Sequence, residues 1–179
     1  KELAPACDRN SQVILEVLKP ILARSHGVLE IGAGTGQHAI CFAEGLSHLQ
    51  WQQSNKESLH SINAWGEASQ LKNLSSAISL DLLTLDDEKI SGLPEVDAIV
   101  CVNIIHIMAW QGTEMLFELA AGILPPGGVI YVYGPYRYSG HPMESSNKNF
   151  DLWLKDRGPV SGIRDFDQID MLAKRAGFI

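Results

Sequence analysis

Residues 28–36 read VLEIGAGTG, a short apolar segment that contains one carboxylate, Glu30, and runs into three alternating glycines. Glycine lacks a Cβ atom, so such a turn can adopt positive φ angles and let a ligand lie directly against the backbone. If a helix follows, its first N–H groups point into the same space. The stretch therefore predicts a strand, a nucleotide-binding turn and a helix, which together begin an α/β fold.

The spacing of the glycines distinguishes between classes of nucleotide. The dinucleotide fingerprint is Gly-x-Gly-x-x-Gly, in which the third glycine lets the helix pack closely on the strand. Gly32 and Gly34 fit that pattern, but the third position is Gln37. The spacing therefore disfavours an NAD(P)-dependent oxidoreductase, which we keep as an alternative hypothesis.

Length and composition indicate one ordinary globular domain. The chain has 179 residues, of which 45% are hydrophobic and 20% are charged, so it can bury a core of its own. The formal net charge is −7, and the lysines and arginines are scattered along the chain. The basic surface typical of nucleic-acid binders is therefore not expected, and a small-molecule substrate agrees with the acidic balance.

The three cysteines, Cys7, Cys41 and Cys101, are odd in number and far apart. They indicate neither a disulfide framework nor a metal site, and free thiols suit the cytoplasm. No signal peptide and no apolar run of the ~20 residues that a membrane span requires are found. The chain does not begin with methionine, and residues 176–179 read as the start of a strand. We therefore expect the sequence to be incomplete at both ends.

Apolar periodicity and turn residues predict alternating strands and helices. The predicted strands are 27–31, 49–53, 77–80, 96–102 and 129–133. The predicted helices are 10–24, kinked or divided at Pro20, then 37–46, 57–72, 112–122, 149–157 and 165–176, with a loop over 134–149. This alternation predicts a mostly parallel sheet with helices on both faces, and ligands bind such sheets beyond the carboxyl ends of the strands.

Polar residues at the ends of the first two strands are candidate ligand-binding groups. A carboxylate in a buried strand is costly unless it is paired, so Glu30 should meet a cofactor ammonium, an ordered water or the adjacent loop. Asn55 stands where nucleotide sites usually place an acid that accepts both ribose hydroxyls. Either Asn55 makes one hydrogen bond with the ribose, or the side chain of Glu57 reaches back to the ribose. Alternatively, Ser54 or Asn55 caps the next helix.

The ends of the third and fourth predicted strands supply further candidates. Asp81 follows the third strand and is either a ligand group or a turn aspartate. Asn103 ends the fourth strand, and its side-chain amide can hold polar groups of a cofactor or substrate. His106 lies three residues further on and can serve as a base near neutral pH, although a lone histidine is more often structural.

The loop after the fifth strand places Tyr136 and Arg137 over the same edge of the sheet. The guanidinium fork of an arginine binds a carboxylate or phosphate through two bonds, so Arg137 suits an anionic substrate group. The alternative is a solvated arginine beside packed tyrosines.

Several further segments carry a family resemblance. They are Ala4-Pro5-Ala6-Cys7-Asp8-Arg9-Asn10, Gly36-Gln37-His38, Asn103-Ile104-Ile105-His106, Tyr133-Gly134-Pro135, Ser146-Asn147-x-x-Phe150-Asp151 and Gly162-Ile163-Arg164-Asp165. With the glycine turn, they make the chain resemble the class I S-adenosylmethionine-dependent methyltransferases. Within that class it is similar to a methyltransferase-like family formerly catalogued as a domain of unknown function.

The resemblance implies a Rossmann-like class I methyltransferase fold, with S-adenosylmethionine as cofactor and S-adenosylhomocysteine as product. In related enzymes the acid at position 81 accepts from the adenine amine, and the next backbone N–H contacts the ring. The implied cofactor-binding residues are Glu30, Gly32, Gly34, Asn55, Asp81, Leu82 and Asn103. The substrate-side candidates are His106 as base, Tyr136 and Arg137. Two departures are Asn55, where an acid is expected, and the closing β-hairpin of the class, which the chain lacks after Ile179.

The predicted organisation is a single domain over residues 1–179. Residues 1–26 form a helical lid, 27–133 the cofactor-binding core, and 134–179 a substrate-side loop and helices. Asp8-Arg9-Asn10 and Asn147 are candidate lid residues, or else capping residues. We expect a methyltransferase that acts on a small molecule, without nucleic acid or membrane as partner. The alternatives are a non-catalytic S-adenosylmethionine-binding module and, less favoured, the oxidoreductase.

Overall fold

The structure is a computed structural model, and it describes residues 5–179. The chain begins with α1 (Pro5–Ile21), β1 (Gly27–Ile31), α2 (Gln37–Gly45), β2 (Gln50–Asn55), α3 (Leu59–Ser69) and β3 (Leu74–Ser79). A 3-10 helix (Leu82–Thr84), α4 (Asp87–Ser91), β4 (Ala98–Val102), α5 (Trp110–Ile123) and β5 (Val129–Tyr133) follow. The last elements are β6 (Tyr136–Arg137), α6 (Ser145–Arg157), β7 (Arg164–Asp165) and α7 (Phe166–Arg175).

A five-stranded sheet has the strand order β3-β2-β1-β4-β5. β1 pairs in parallel with both β2 and β4, and β2 pairs in parallel with β3. The order reverses at β1, so the crossovers on either side of it place helices on opposite faces. This is the Rossmann-like α/β fold with a mostly parallel sheet that the sequence predicts.

The chain divides into two units. The first takes the described residues up to Cys101 together with Leu124–Tyr131, and it holds most of the sheet. The second takes Val102–Ile123 and Val132–Ile179, which include α5, α6, α7 and the small parallel sheet of β6 and β7.

Burial follows position in the sheet. Every residue of β1 and of β4 is buried, as expected of central parallel strands that are covered on both faces. β3 lies at the edge and leaves Ser75, Ser76 and Ser79 exposed. The first half of β3 was not predicted, because Leu74-Ser75-Ser76 lacks the β-branched pattern of a buried strand.

In the first unit, α2 packs closely on α1 and on the sheet. A Cβ atom added at Gly45 would lie 2.5 Å from a methyl carbon of Leu15, which shows how tightly α1 meets α2. On the sheet side, the ring centroid of Phe42 in α2 lies 5.6 Å from that of Trp51 in β2.

Within residues 5–179, no helix combines the length and the apolar character needed to cross a membrane.

Several predicted boundaries are wrong. Helix α1 begins at Pro5 rather than at residue 10, because proline is well suited to the first turn. Pro20 does not divide it, because Pro20 is the last helical residue but one and no further turn of helix follows it. The predicted 134–149 loop contains β6 and the first turn of α6.

The last residues of the chain also differ from their prediction. Residues 176–179 contain no strand. Gly177 adopts φ 93°, and Phe178 N–H donates to Ala173 O at 2.9 Å, so this segment closes the end of α7. Residues 1–4 of the predicted lid lie outside the described residues, as does the side chain of Asp8.

Candidate functional site

The glycine turn in the first unit has the predicted backbone geometry. Gly32, Gly34 and Gly36 have φ angles of 72°, 58° and 94°, which residues other than glycine rarely adopt. No heavy atom lies within 4 Å of a Cβ atom built on Gly34, whereas one built on Gly36 would lie 2.9 Å from Ile62 Cα. Gly34 therefore borders open space, and Gly36 lets α3 approach.

Glu30 is buried in β1, where its side chain is only 2% exposed. Its Oε2 accepts a hydrogen bond of 2.9 Å from Trp51 Nε1, a partner on β2 that the sequence did not indicate. Burial raises the pKa of Glu30 to about 7, and the bond from Trp51 opposes that shift only in part. Near neutral pH the carboxyl group therefore exists in both its protonated and its ionised form.

A second polar side chain lies beside Glu30 in the interior. Gln53 is the register partner of Glu30 on β2, so both side chains lie on the same face of the sheet. Gln53 is 1% exposed, and its Nε2 has no hydrogen-bond partner within the described part of the chain. A buried amide donor of this kind is a group that a bound polar molecule would satisfy.

The predicted ribose and adenine groups make local contacts. Asn55 Nδ2 donates to the backbone oxygen of Glu57, so the contact with Glu57 involves its main chain. Neither Ser54 nor Asn55 caps α3, because the N-cap position is Ser58. The reading of Asn55 as a cap is therefore wrong, and its role toward a ribose stays a prediction.

Asp81 caps the 3-10 helix, which agrees with the hypothesis that it is a turn aspartate. Its carboxylate accepts from Leu83 N–H at 3.1 Å and lies 3.0 Å from Lys56 Nζ. The hydrogen bonds from Lys56 and then from Leu83 hold the pKa of Asp81 below its usual value. Leu82, the predicted backbone donor to adenine, has a buried side chain in the same 3-10 helix. A ligand that binds Asp81 therefore has to share it with Lys56.

In the second unit, Asn103 ends β4 in a strained conformation. Its φ angle is 59°, in the left-handed region that asparagine tolerates better than most residues. Its N–H donates to Tyr133 O at 2.8 Å, which holds the backbone in place. Residues in this conformation cluster at functional sites, which agrees with the predicted role of Asn103.

His106 is buried, and it has an unsatisfied nitrogen. The residue is 3% exposed, and its Nδ1 atom has no hydrogen-bond partner among the described residues. Burial, assisted by the charge of Arg164, lowers the pKa of His106 to about 4. The imidazole is therefore neutral at pH 7 and able to accept a proton, although its basicity is lower than that of an ordinary histidine.

Tyr136 and Arg137 form β6, which pairs with β7. Arg137 Nε lies 3.2 Å from Asp165 Oδ2, and the Tyr136 hydroxyl donates to Val132 O at 3.3 Å. The guanidinium of Arg137 already has a carboxylate partner inside the protein, so an anionic substrate would compete with Asp165. Binding of substrate by these two residues remains a prediction.

A hydrogen-bonded trio in the first unit was not foreseen from the sequence. The thiol of Cys7 lies 3.4 Å from His38 Nδ1, and His38 Nε2 lies 2.8 Å from Asn10 Oδ1. Since Asn10 Oδ1 can only accept, His38 carries its proton on Nε2 and accepts from the thiol at Nδ1. Burial lowers the pKa of His38 to about 4. The trio fastens α1 to the first turn of α2, directly after the glycines.

In residues 5–179, no group of three or more His, Cys, Asp or Glu side chains is placed to hold a metal ion.

The family model described as "Protein of unknown function (DUF938)" matches residues 1–179. The chain belongs to this family. The resemblance to a family catalogued as a domain of unknown function is thereby confirmed, over the whole chain.

Solved structures of methyltransferases share the fold. The chain is similar to an O-methyltransferase family protein from Burkholderia thailandensis, with a TM-score of 0.81, 18% identity, and coverage of 96% of this chain and 52% of that one. It is also similar to human N-acetylserotonin methyltransferase in complex with SAM, with a TM-score of 0.76, 16% identity, and coverage of 97% and 47%. The chain thus spans about half the length of these relatives, and the likeness confirms the class I methyltransferase fold.

Proposed function

We propose that this chain binds S-adenosylmethionine at the glycine turn and transfers its methyl group to a small-molecule acceptor. The open space beside Gly34 is the observation that carries the proposal. A positive φ angle combined with a vacant Cβ position allows a ligand to lie against bare backbone. The fold shared with methyltransferases of known structure supports this choice of ligand.

The residues of the first unit fit such a ligand. Glu30 and Gln53 place a carboxyl group and an unpartnered amide donor side by side in the interior, next to the strand end that leads into the turn. We assign cofactor binding to Glu30, Gly32, Gly34, Asn55, Asp81 and Leu82 in this unit, and to Asn103 in the second.

When bound, S-adenosylmethionine supplies an activated methyl group. The chain has mainly to align the acceptor, and alignment alone can lower a barrier by ~7–11 kcal/mol. We assign the acceptor side to His106, Tyr136 and Arg137. His106 accepts the proton of a hydroxyl or amine acceptor at Nδ1, in the tautomer that carries its own proton on Nε2. Because its pKa is about 4, His106 stays competent down to mildly acidic pH.

Calorimetric titration with S-adenosylmethionine tests the cofactor assignment. The wild-type protein should bind, and Gly34→Ala should bind at least tenfold more weakly, because its methyl group occupies the vacant space. Gly127→Ala is the matched control, since Gly127 also has a positive φ angle, of 82°, and a Cβ atom there also meets nothing within 4 Å. Absence of binding by the wild-type protein, freed of any co-purified ligand, would refute the proposal.

Formation of S-adenosylhomocysteine then separates an enzyme from a binding module. Incubation of the protein, S-adenosylmethionine and a cell extract should yield this product, detected by mass spectrometry. Binding without product would favour the non-catalytic module, for which the existing contacts of Asp81 and Arg137 are the supporting observation. Quenching of reduced nicotinamide fluorescence would instead favour the oxidoreductase.

A further inference from the structure

In the second unit, two stretches of chain bind each other around His106. We call residues 103–109 the His106 loop and residues 160–164 the clamp segment. Gly162 N–H donates to His106 O at 2.9 Å, and the Ser161 hydroxyl donates to Ile107 O at 2.8 Å. The clamp segment thus holds the main chain at the histidine and at the residue that follows it.

Arg164 makes the largest contribution to this contact. Its Nε donates to Ile105 O at 2.9 Å, and its Nη2 donates to Met108 O and also to Val160 O, the latter at 2.9 Å. One side chain therefore joins two carbonyl oxygens of the His106 loop to one of the clamp segment. The flat guanidinium reaches these oxygens because it donates from two nitrogens, Nε and Nη2, held at a fixed separation.

The clamp segment is itself anchored to α6. Asp151 Oδ1 accepts from Ile163 N–H at 2.8 Å, and Phe150, the preceding residue, packs edge-on against the His106 ring at 5.5 Å between centroids. Phe150-Asp151 and Gly162-Ile163-Arg164, which carry part of the family resemblance, therefore come together around the His106 loop.

The ring is buried, and one of its nitrogens has no hydrogen-bond partner among the described residues. A Cβ atom at Gly134 would lie 3.3 Å from His106 Nδ1, and no contact within the described residues satisfies that atom. Gly134 does not have a positive φ angle, so backbone conformation does not call for glycine there. Its lack of a side chain leaves room beside the nitrogen.

We propose that Arg164 is a positioning residue for His106, which holds the His106 loop by its carbonyl oxygens so that Nδ1 remains free for the methyl acceptor. This inference rests on the proposed function. Arg164 itself touches neither cofactor nor acceptor. A lysine at position 164 keeps the positive charge but donates from a single nitrogen, so it cannot replace both Nε and Nη2 of the guanidinium, and Arg164→Lys separates position from charge.

Nuclear magnetic resonance of Arg164→Lys tests the proposal without cofactor or acceptor. The His106 loop should open to water, so the pKa of His106 should rise by at least one unit toward the ordinary value. Position 164 on β7, whose charge lowers the pKa of His106, remains charged in this variant, as does Asp151 on α6, which acts on position 164. Exchange of the Gly162 amide should accelerate at least tenfold. An unchanged pKa together with unchanged exchange would overturn the proposal.

Arg157→Lys is the control, because Arg157 lies at the end of α6 and stacks on Trp153, outside the clamp. It should leave His106 and Gly162 unchanged. If Arg164→Lys does not fold, hydrogen exchange of the wild-type protein decides. The amides of Gly162 and Ile163 should then open with the same free energy, since one clamp holds both, and independent opening would overturn the proposal.

The rate of product formation by Arg164→Lys gives a separate test of the role of Arg164 in catalysis. At saturating S-adenosylmethionine, Arg164→Lys should form S-adenosylhomocysteine at least tenfold more slowly, with unchanged affinity for S-adenosylmethionine. A wild-type protein that binds no S-adenosylmethionine would refute the proposed function, while the exchange and titration results would still decide how Arg164 acts on His106.

Discussion

Glu30 shows how a single buried side chain combines a structural cost with a candidate role. Its carboxyl group is shielded from water and has an indole as partner, so the protonated form is favoured up to about pH 7. The sequence predicts that Glu30 needs a partner. It does not indicate Trp51, because that contact depends on the register between β1 and β2.

Glu30→Gln should remove this cost of ionisation. Between pH 4.5 and pH 7 the unfolded chain releases the proton of Glu30 while the folded chain retains it, so the contribution of Glu30 to stability falls as pH rises. Glutamine does not titrate and can still accept from Trp51. The free energy of unfolding of the variant, relative to wild type, should therefore increase by ~3 kcal/mol from pH 4.5 to pH 8.

Urea unfolding at the two pH values measures this difference. Glu67→Gln, on the exposed side of α3, is the control and should leave the pH dependence as it is in wild type. A constant difference between Glu30→Gln and wild type would contradict the raised pKa, because it would mean that Glu30 titrates alike in the folded and unfolded chains.

At the scale of elements, the approach of α3 to the glycine turn depends on Gly36. The dinucleotide fingerprint places its helix-packing glycine at position 37, which here is Gln37. In this chain, the neighbouring Gly36 permits a close approach, but by α3 rather than by the strand. Gly36 can be found in the sequence. That Ile62 of α3 lies against it is decided by the packing of the helices in the folded chain.

Gly36→Ala should destabilise the fold more than Gly34→Ala. Both substitutions place alanine at a positive φ angle, which costs ~1–2 kcal/mol. Only Gly36→Ala also brings the new Cβ within 2.9 Å of Ile62 Cα, and overpacking of this kind costs a further ~1–3 kcal/mol. Chemical denaturation of the two variants measures the difference, and equal stabilities would contradict the close contact between α2 and α3.

The small sheet of β6 and β7 illustrates what element-level prediction misses. Each strand has two residues, and the register pairs Tyr136 with Arg164 and Arg137 with Asp165. A two-residue strand has no periodicity that a sequence pattern could reveal. Its existence was decided by contacts between distant segments.

At the scale of the whole molecule, buried titratable groups set the response to acid. His38 and His106 are neutral in the folded protein, with pKa values of about 4, and both become protonated near pH 6.5 when the chain unfolds. Glu30 acts in the opposite direction, since the folded protein retains its proton up to about pH 7. Between about pH 4.5 and 6.5 the unfolded chain therefore binds one more proton than the folded chain at these three sites.

The stability of the wild-type protein should accordingly rise by ~1.4 kcal/mol per pH unit in this interval. His38→Gln removes one histidine, so the remaining histidine and Glu30 cancel and the slope should approach zero. Glutamine can still donate to Asn10 in place of His38. Urea unfolding at pH 5.0, 5.5, 6.0 and 6.5 measures both slopes, and a variant slope equal to that of wild type would contradict a neutral His38.

The sequence by itself determined the parts of this protein that depend on neighbours along the chain. The strand, glycine turn and helix at residues 27–45, the alternation of strands and helices, and the family follow from local periodicity, glycine spacing and short motifs. The tertiary structure alone decided which side chains meet. Trp51 reaches Glu30 across 21 residues and Arg164 reaches Ile105 across 59, and such contacts arise from strand register and helix packing, which no local pattern encodes.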